Sequence, residues 1–158
     1  MKVLLVAPFG GVTGGIARWT EHILDYYKKT GRNDCDLDLL STGRSTFVNI
    51  NSSVCFRIIS ALKDYRVILK NFRSRLNINT YDVMHLTSSA SLSLTKDLYM
   101  LHTAKRKGIK TIIHFHFGRI PELAKQNNWE WNLLCKVIQK ATKAIVIDQQ
   151  SYNSLVAH

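Results

Sequence analysis

The chain has 158 residues, 46% of them hydrophobic and 21% charged, the composition of one well-buried globular domain rather than a disordered or fibrous chain. It has no run of about eighteen apolar residues, which argues against a transmembrane helix; the three scattered cysteines, Cys35, Cys55 and Cys135, give neither a metal spacing nor a disulfide framework, as expected in a reducing cytosol. Twenty-two Lys and Arg against eleven Asp and Glu leave a net charge of +11, a surplus that points to an anionic partner: nucleic acid, a membrane surface or a phosphorylated substrate.

Apolar runs at Lys2–Ala7, Leu37–Leu40, Asp82–Leu86, Thr111–Phe117 and Ala144–Ile147 predict strands. The first run lacks a small-residue cleavage site and leads straight into a turn and helix pattern, so it reads as a buried strand and not a signal peptide. Between the runs, Ile16, Trp19, Ile23 and Tyr26, then Leu94, Leu98 and Leu101, then Trp129, Leu133 and Val137 recur at helical spacing. Gly31 to Asp34 closes the first helix and Lys107-Gly108 closes the Leu98 helix. Strands apolar on both faces that alternate with helices predict an α/β fold: a doubly wound, mostly parallel sheet of Rossmann-like type over residues 1–158. The chain stops at His158 inside what reads as the helix after the last strand, so a fragment is expected. Such sheets bind ligands at the carboxyl ends of their strands. The segments to watch are therefore Pro8–Gly15, Thr87–Ser93, Phe117–Pro121 and Asp148–Ser151.

In the first of these, Thr13 is the expected helix cap, leaving Gly14 and Gly15 in the first turn, where bare backbone N–H groups and the helix dipole favour an anion. A P-loop has the spacing at Gly10 and Gly15, but Ile16 and Ala17 stand where Lys and Ser or Thr are needed. A dinucleotide fingerprint fails because the glycines fall at 10, 11, 14 and 15 and no acid ends the second strand at Leu40-Ser41. A looser diphosphate cradle remains.

In the fourth strand, Ile112, His114 and His116 share one face. His116, at the carboxyl end, is placed to bond a sugar hydroxyl or move a proton, and Arg119 to meet a phosphate; His114 lies deeper. No third residue with metal-site spacing accompanies the two histidines, so no metal site is expected.

Four segments in order, GGVTGGIARW, YDVMHLTSSAS, GIKTIIHFHFG and ATKAIVIDQQSYNSL, together resemble the N-terminal domain of GT-B glycosyltransferases, in particular the retaining family-4 group. The resemblance covers almost the whole chain. It implies an acceptor-binding half whose partner domain, which grips the nucleotide-sugar with a pair of glutamates, is absent from this chain. It implies further that Gly14 and Gly15 lie beside the donor diphosphate and that His116 contacts the transferred sugar near the reacting carbon. By the same resemblance Ser88 and Ser89 border the acceptor pocket, and no metal or cofactor is required beyond the nucleotide-sugar co-substrate. Asp36-Leu37-Asp38 has the letters of a metal-binding acidic pair but sits at the start of a strand. The implied parent activity is sugar transfer to a glycan or lipid-linked acceptor, with surface polysaccharide as the product; the chain alone is expected to be an inactive half.

The segment Arg57–Leu76 carries Arg57, Lys63, Arg66, Lys70, Arg73 and Arg75 against Asp64, with Ile58, Leu62, Leu69, Phe72 and Leu76 as an apolar face. A basic amphipathic helix of this kind reads as an anionic-membrane dock, which fits a cytoplasmic protein held at the inner membrane face. Tyr65 and Phe72 fall on the apolar stripe, so an exposed nucleic-acid stacking platform is not expected. The alternative is a stand-alone Rossmann-type binding domain, regulatory or nucleic-acid-associated, without transfer chemistry.

Overall fold

The computed structural model describes residues 1–10, 14–31, 35–43 and 54–157, and of residues 54–59 only the backbone. Among the described residues strands and helices alternate: β1 (Lys2–Ala7), α1 (Gly15–Thr30), β2 (Asp36–Ser41), α2 (Val54–Ile78), β3 (Val83–Ser88), α3 (Ser93–Arg106), β4 (Lys110–Phe115), α4 (Ile120–Gln126), α5 (Trp129–Lys140), β5 (Lys143–Ile145) and α6 (Gln149–Val156). The strands form one sheet in the order β2-β1-β3-β4-β5, and every pairing is parallel. This is the doubly wound Rossmann-like architecture that apolar runs alternating with helical stripes predict.

Strand alternation splits the apolar runs between two faces. Leu4, Val6, Leu40, Met84, Leu86, Ile113 and Phe115 point to one side, where Phe72 and Leu76 of α2, Leu94 and Leu101 of α3, and Trp131, Leu134 and Val137 of α5 close the core. The other face carries α1, whose Trp19 lies on His85, His114 and His116.

Several boundaries differ from expectation. β4 ends at Phe115, although the His116 N–H still donates to the Ser88 carbonyl at 3.1 Å and so extends the ladder by one bond. β5 is Lys143–Ile145, and Ile147 is exposed. In α5 the buried stripe is Trp131, Leu134 and Val137, with Trp129 exposed, because the helix docks on α3 one register away from the expected face. In α2, Phe72 and Leu76 are buried as expected, but Leu62 faces outward. No helix among the described residues is long and apolar enough to cross a membrane.

Candidate functional site

The chain leaves β1 toward β2 on one side and returns to β3 on the other, so the switch point of the sheet lies between β1 and β3. A pocket of about 550 Å³ opens there, at the carboxyl edge. Pro8, Thr87 and Ser89 reach it from the strand ends and Ile16 from α1. α2 supplies Leu62, Asp64, Tyr65 and Ile68, while Leu92, Ser93 and Lys96 come from the start of α3. The Tyr65 and Thr95 hydroxyls share a hydrogen bond of 2.5 Å that ties α2 to α3 across the pocket. Behind the wall, Ser88 Oγ donates to Asp97 Oδ2 and Lys96 Nζ donates to Asp97 Oδ1, both at 2.6 Å. Ser88 is thus buried and its hydroxyl is committed to Asp97, whereas Ser89 is exposed at the pocket.

At the start of α1, Gly14 occupies the cap position with φ 149°, a conformation that favours glycine, and among the described residues no side chain caps the helix. Thr13, the expected cap, lies outside the described residues. A Cβ at Gly14 or Gly15 would meet no atom of the described residues within 4 Å. No side chain of the described residues accepts from the first N–H groups of this sixteen-residue helix, which lie at the positive end of its dipole.

On the α1 face, β3 and β4 bring three imidazoles together. The ring centroids of His114 and His116 are 3.9 Å apart, and those of His85 and His114 are 5.6 Å apart. Trp19 sits over all three, at 5.0 Å from His116, 5.3 Å from His114 and 5.5 Å from His85. His85 Nε2, His114 Nδ1 and His116 Nε2 are buried with no hydrogen-bond partner among the described residues. Burial, and then the charge of His116, draws the His85 pKa down to about 4. Burial, His116 and His85 draw His114 to about 4, and burial lowers His116. At neutral pH the rings are therefore uncharged, able to give or take a hydrogen bond. Among the described residues no three His, Cys, Asp or Glu side chains converge to hold a metal ion.

The turn after β3 is strained. Ala90 (φ 71°) and Ser91 (φ 57°) are consecutive non-glycine residues in the left-handed region, at a cost on the order of 1–2 kcal/mol each. Glu130, at the buried start of α5, holds the turn: its Oε1 accepts from the Ser91 N–H at 2.8 Å and from Ser91 Oγ at 3.0 Å. The same oxygen accepts from Arg119 Nη2 at 2.8 Å. Arg119, expected to meet a phosphate, is therefore paired with Glu130 and braces the loops after β3 and β4. Asp148, from the loop after β5, caps α6 through the Ser151 N–H at 2.7 Å.

On the outer side of α2, exposed Lys63, Arg66, Lys70 and Arg73 recur at spacings of three, four and three and form one stripe about 15 Å long; the side chains of Arg57 and Ile58 lie outside the described residues. The Arg73 guanidinium also stacks 5.1 Å over the Tyr99 ring.

No family model matches the chain. No curated protein matches it either. Among solved structures, the crystal structure of a conserved protein from Enterococcus faecalis V583 is similar to it at 11% identity and a TM-score of 0.43, covering 99% of this chain and 98% of that one.

The structure thus gathers Gly14, Gly15, Ser89 and His116 at the carboxyl edge, with His114 one step deeper. It adds residues that motif reading passed over. Asp64, Tyr65 and Lys96 line the pocket, yet in sequence they look like ordinary polar positions of two helices. Trp19 was legible only as one member of a helical stripe.

Proposed function

We propose that this chain is the acceptor-binding half of a retaining GT-B glycosyltransferase, which moves a sugar from a nucleotide-sugar to a glycan or lipid-linked acceptor in surface polysaccharide assembly. The observation that carries the reading is the juxtaposition at one sheet edge of a glycine helix start, an uncharged imidazole at His116 whose buried Nε2 has no partner among the described residues, and a switch-point pocket. In this reading a second domain brings the nucleotide-sugar over the edge. The N–H groups at Gly14 and Gly15 stabilise the leaving diphosphate, and His116 orients the sugar by a hydrogen bond. Ser89 faces the acceptor, while Ser88 and Arg119 act from behind by holding Asp97 and Glu130. The basic stripe of α2 docks the protein on the anionic cytoplasmic leaflet, with each cation contributing about 1 kcal/mol.

The test is genetic. His116→Ala at the natural locus is expected to abolish incorporation of labelled sugar from nucleotide-sugars into the membrane and surface-glycan fractions, with the protein still present at its normal level. Normal labelling would remove the assigned role of His116.

A further inference from the structure

We infer that the groove at the carboxyl end of β2 is a second ligand site, which takes the base of a purine nucleotide between Phe9 and the α2 residues Asn71, Ser74 and Arg75. A cavity of about 560 Å³ opens there and shares no lining residue with the switch-point pocket. Its two sides differ in kind. The strand side offers Phe9, Leu39 and Leu40, and the α2 side offers an amide, a hydroxyl and a guanidinium. A flat heteroaromatic ring matches that division, with an apolar face for the strands and a polar edge for the helix. The strand side also holds its aromatic in place. Ser41 Oγ donates to the Phe9 carbonyl at 2.6 Å and accepts from the Phe9 N–H at 3.3 Å, so the backbone of Phe9 is pinned while its side chain stays 37% exposed. A fixed aromatic ring that reaches solvent is what stacking against a base requires.

On the other side, Asn71 and Ser74 are exposed about one turn apart on α2, and among the described residues neither side chain has a hydrogen-bond partner. The Asn71 amide sets a donor beside an acceptor, the pair that complements N7 and the N6 amino group of adenine; a guanidinium pairs in the same way with O6 and N7 of guanine. Arg75 is anchored, because it donates to Asp38, whose other carboxylate oxygen accepts from the Tyr81 hydroxyl at 2.5 Å. The ion pair also offsets the Arg75 charge, so the groove suits an uncharged base better than a bare phosphate. No acid stands among Ser41, Thr42 and Gly43 to take a ribose diol, which leaves the base as the recognised part. The inference does not depend on sugar transfer.

The purified full chain is titrated with AMP, GMP, UMP and ribose 5-phosphate, and backbone amide shifts are followed by NMR. All four carry the same 5′-phosphate, so differences among them read the base. At least one of AMP and GMP is expected to move the Phe9, Asn71 and Ser74 signals and to bind at least about tenfold tighter than UMP and ribose 5-phosphate. Phe9→Ala and Asn71→Ala should each weaken that binding about tenfold, the loss expected of one base stack or one bidentate base contact, with the circular dichroism unchanged. Asn71→Ala, at an exposed helix position, decides the matter if Phe9→Ala loosens the strand end. No binding of either purine nucleotide, equal affinity for UMP or ribose 5-phosphate, or unchanged affinity in Asn71→Ala would overturn the inference.

Discussion

At the scale of single residues, His85, His114 and His116 under Trp19 make the protein's stability depend on acid. His85 and His114 titrate near 4 in the fold against 6.5 ordinarily, so between those values the unfolded chain binds more protons than the native one. Stability is therefore fully present above about pH 6.5 and falls as the pH drops toward 4, by up to about 1.4 kcal/mol per pH unit for each histidine. Thermal melts should show Tm falling across this window, and His85→Phe with His114→Phe should flatten the dependence. An unchanged slope in that variant would assign the acid sensitivity elsewhere. The sequence shows that His114 and His116 share a strand face, because a period of two is enough. It does not show that His85 joins them, because that depends on the register of β3 against β4, in which His85 faces Ile112 and lies diagonal to His114. Nor does it show that Gly14 is the cap of α1, since Thr13 is the better capping residue by type.

At the scale of elements, the turn after β3 persists because α5 holds it. Replacing Glu130 by Ala removes three charge-assisted bonds and should cost about 2 kcal/mol in urea unfolding. Glu130→Gln keeps an acceptor for Ser91 and should cost about half as much. Equal costs would mean that the Ser91 bonds do not hold the turn. α2 was legible as a basic amphipathic helix, and its stripe gives a second prediction. Charge reversal at Lys63, Arg66 and Lys70 should abolish sedimentation with phosphatidylglycerol vesicles, and added salt should weaken the wild-type interaction in the same assay. Binding that survives reversal would place the docking surface elsewhere. The buried face of α5 was not legible. In Trp129–Lys140 the stripes Trp129, Leu133, Val137 and Trp131, Leu134, Val137 both have helical spacing, and only docking on α3 selects the second. Leu62 likewise belongs to an apolar stripe in sequence but stands at the pocket mouth, because α2 leans on α3 through Tyr65 and Thr95 and leaves the switch point open beneath it.

At the scale of the whole molecule, the parallel sheet followed from strands such as Leu4–Ala7, buried on both faces, and the strand order then placed the crevice between β1 and β3. The same rule puts Gly14, Ser89 and His116 on one edge, where β1, β3 and β4 end at Ala7, Ser88 and Phe115. The pocket itself required tertiary structure, because its walls come from α2 and α3 residues far apart in the chain. The central claim is sugar transfer, and the most direct measurement is product mass. Protein purified from its natural source is incubated with a panel of nucleotide-sugars and a lipid extract of the same cells, and the lipids are read by mass spectrometry. Gain of one sugar by a membrane lipid, with the anomeric configuration of the donor retained, is the predicted result. Lipids unchanged across the whole panel would contradict the account.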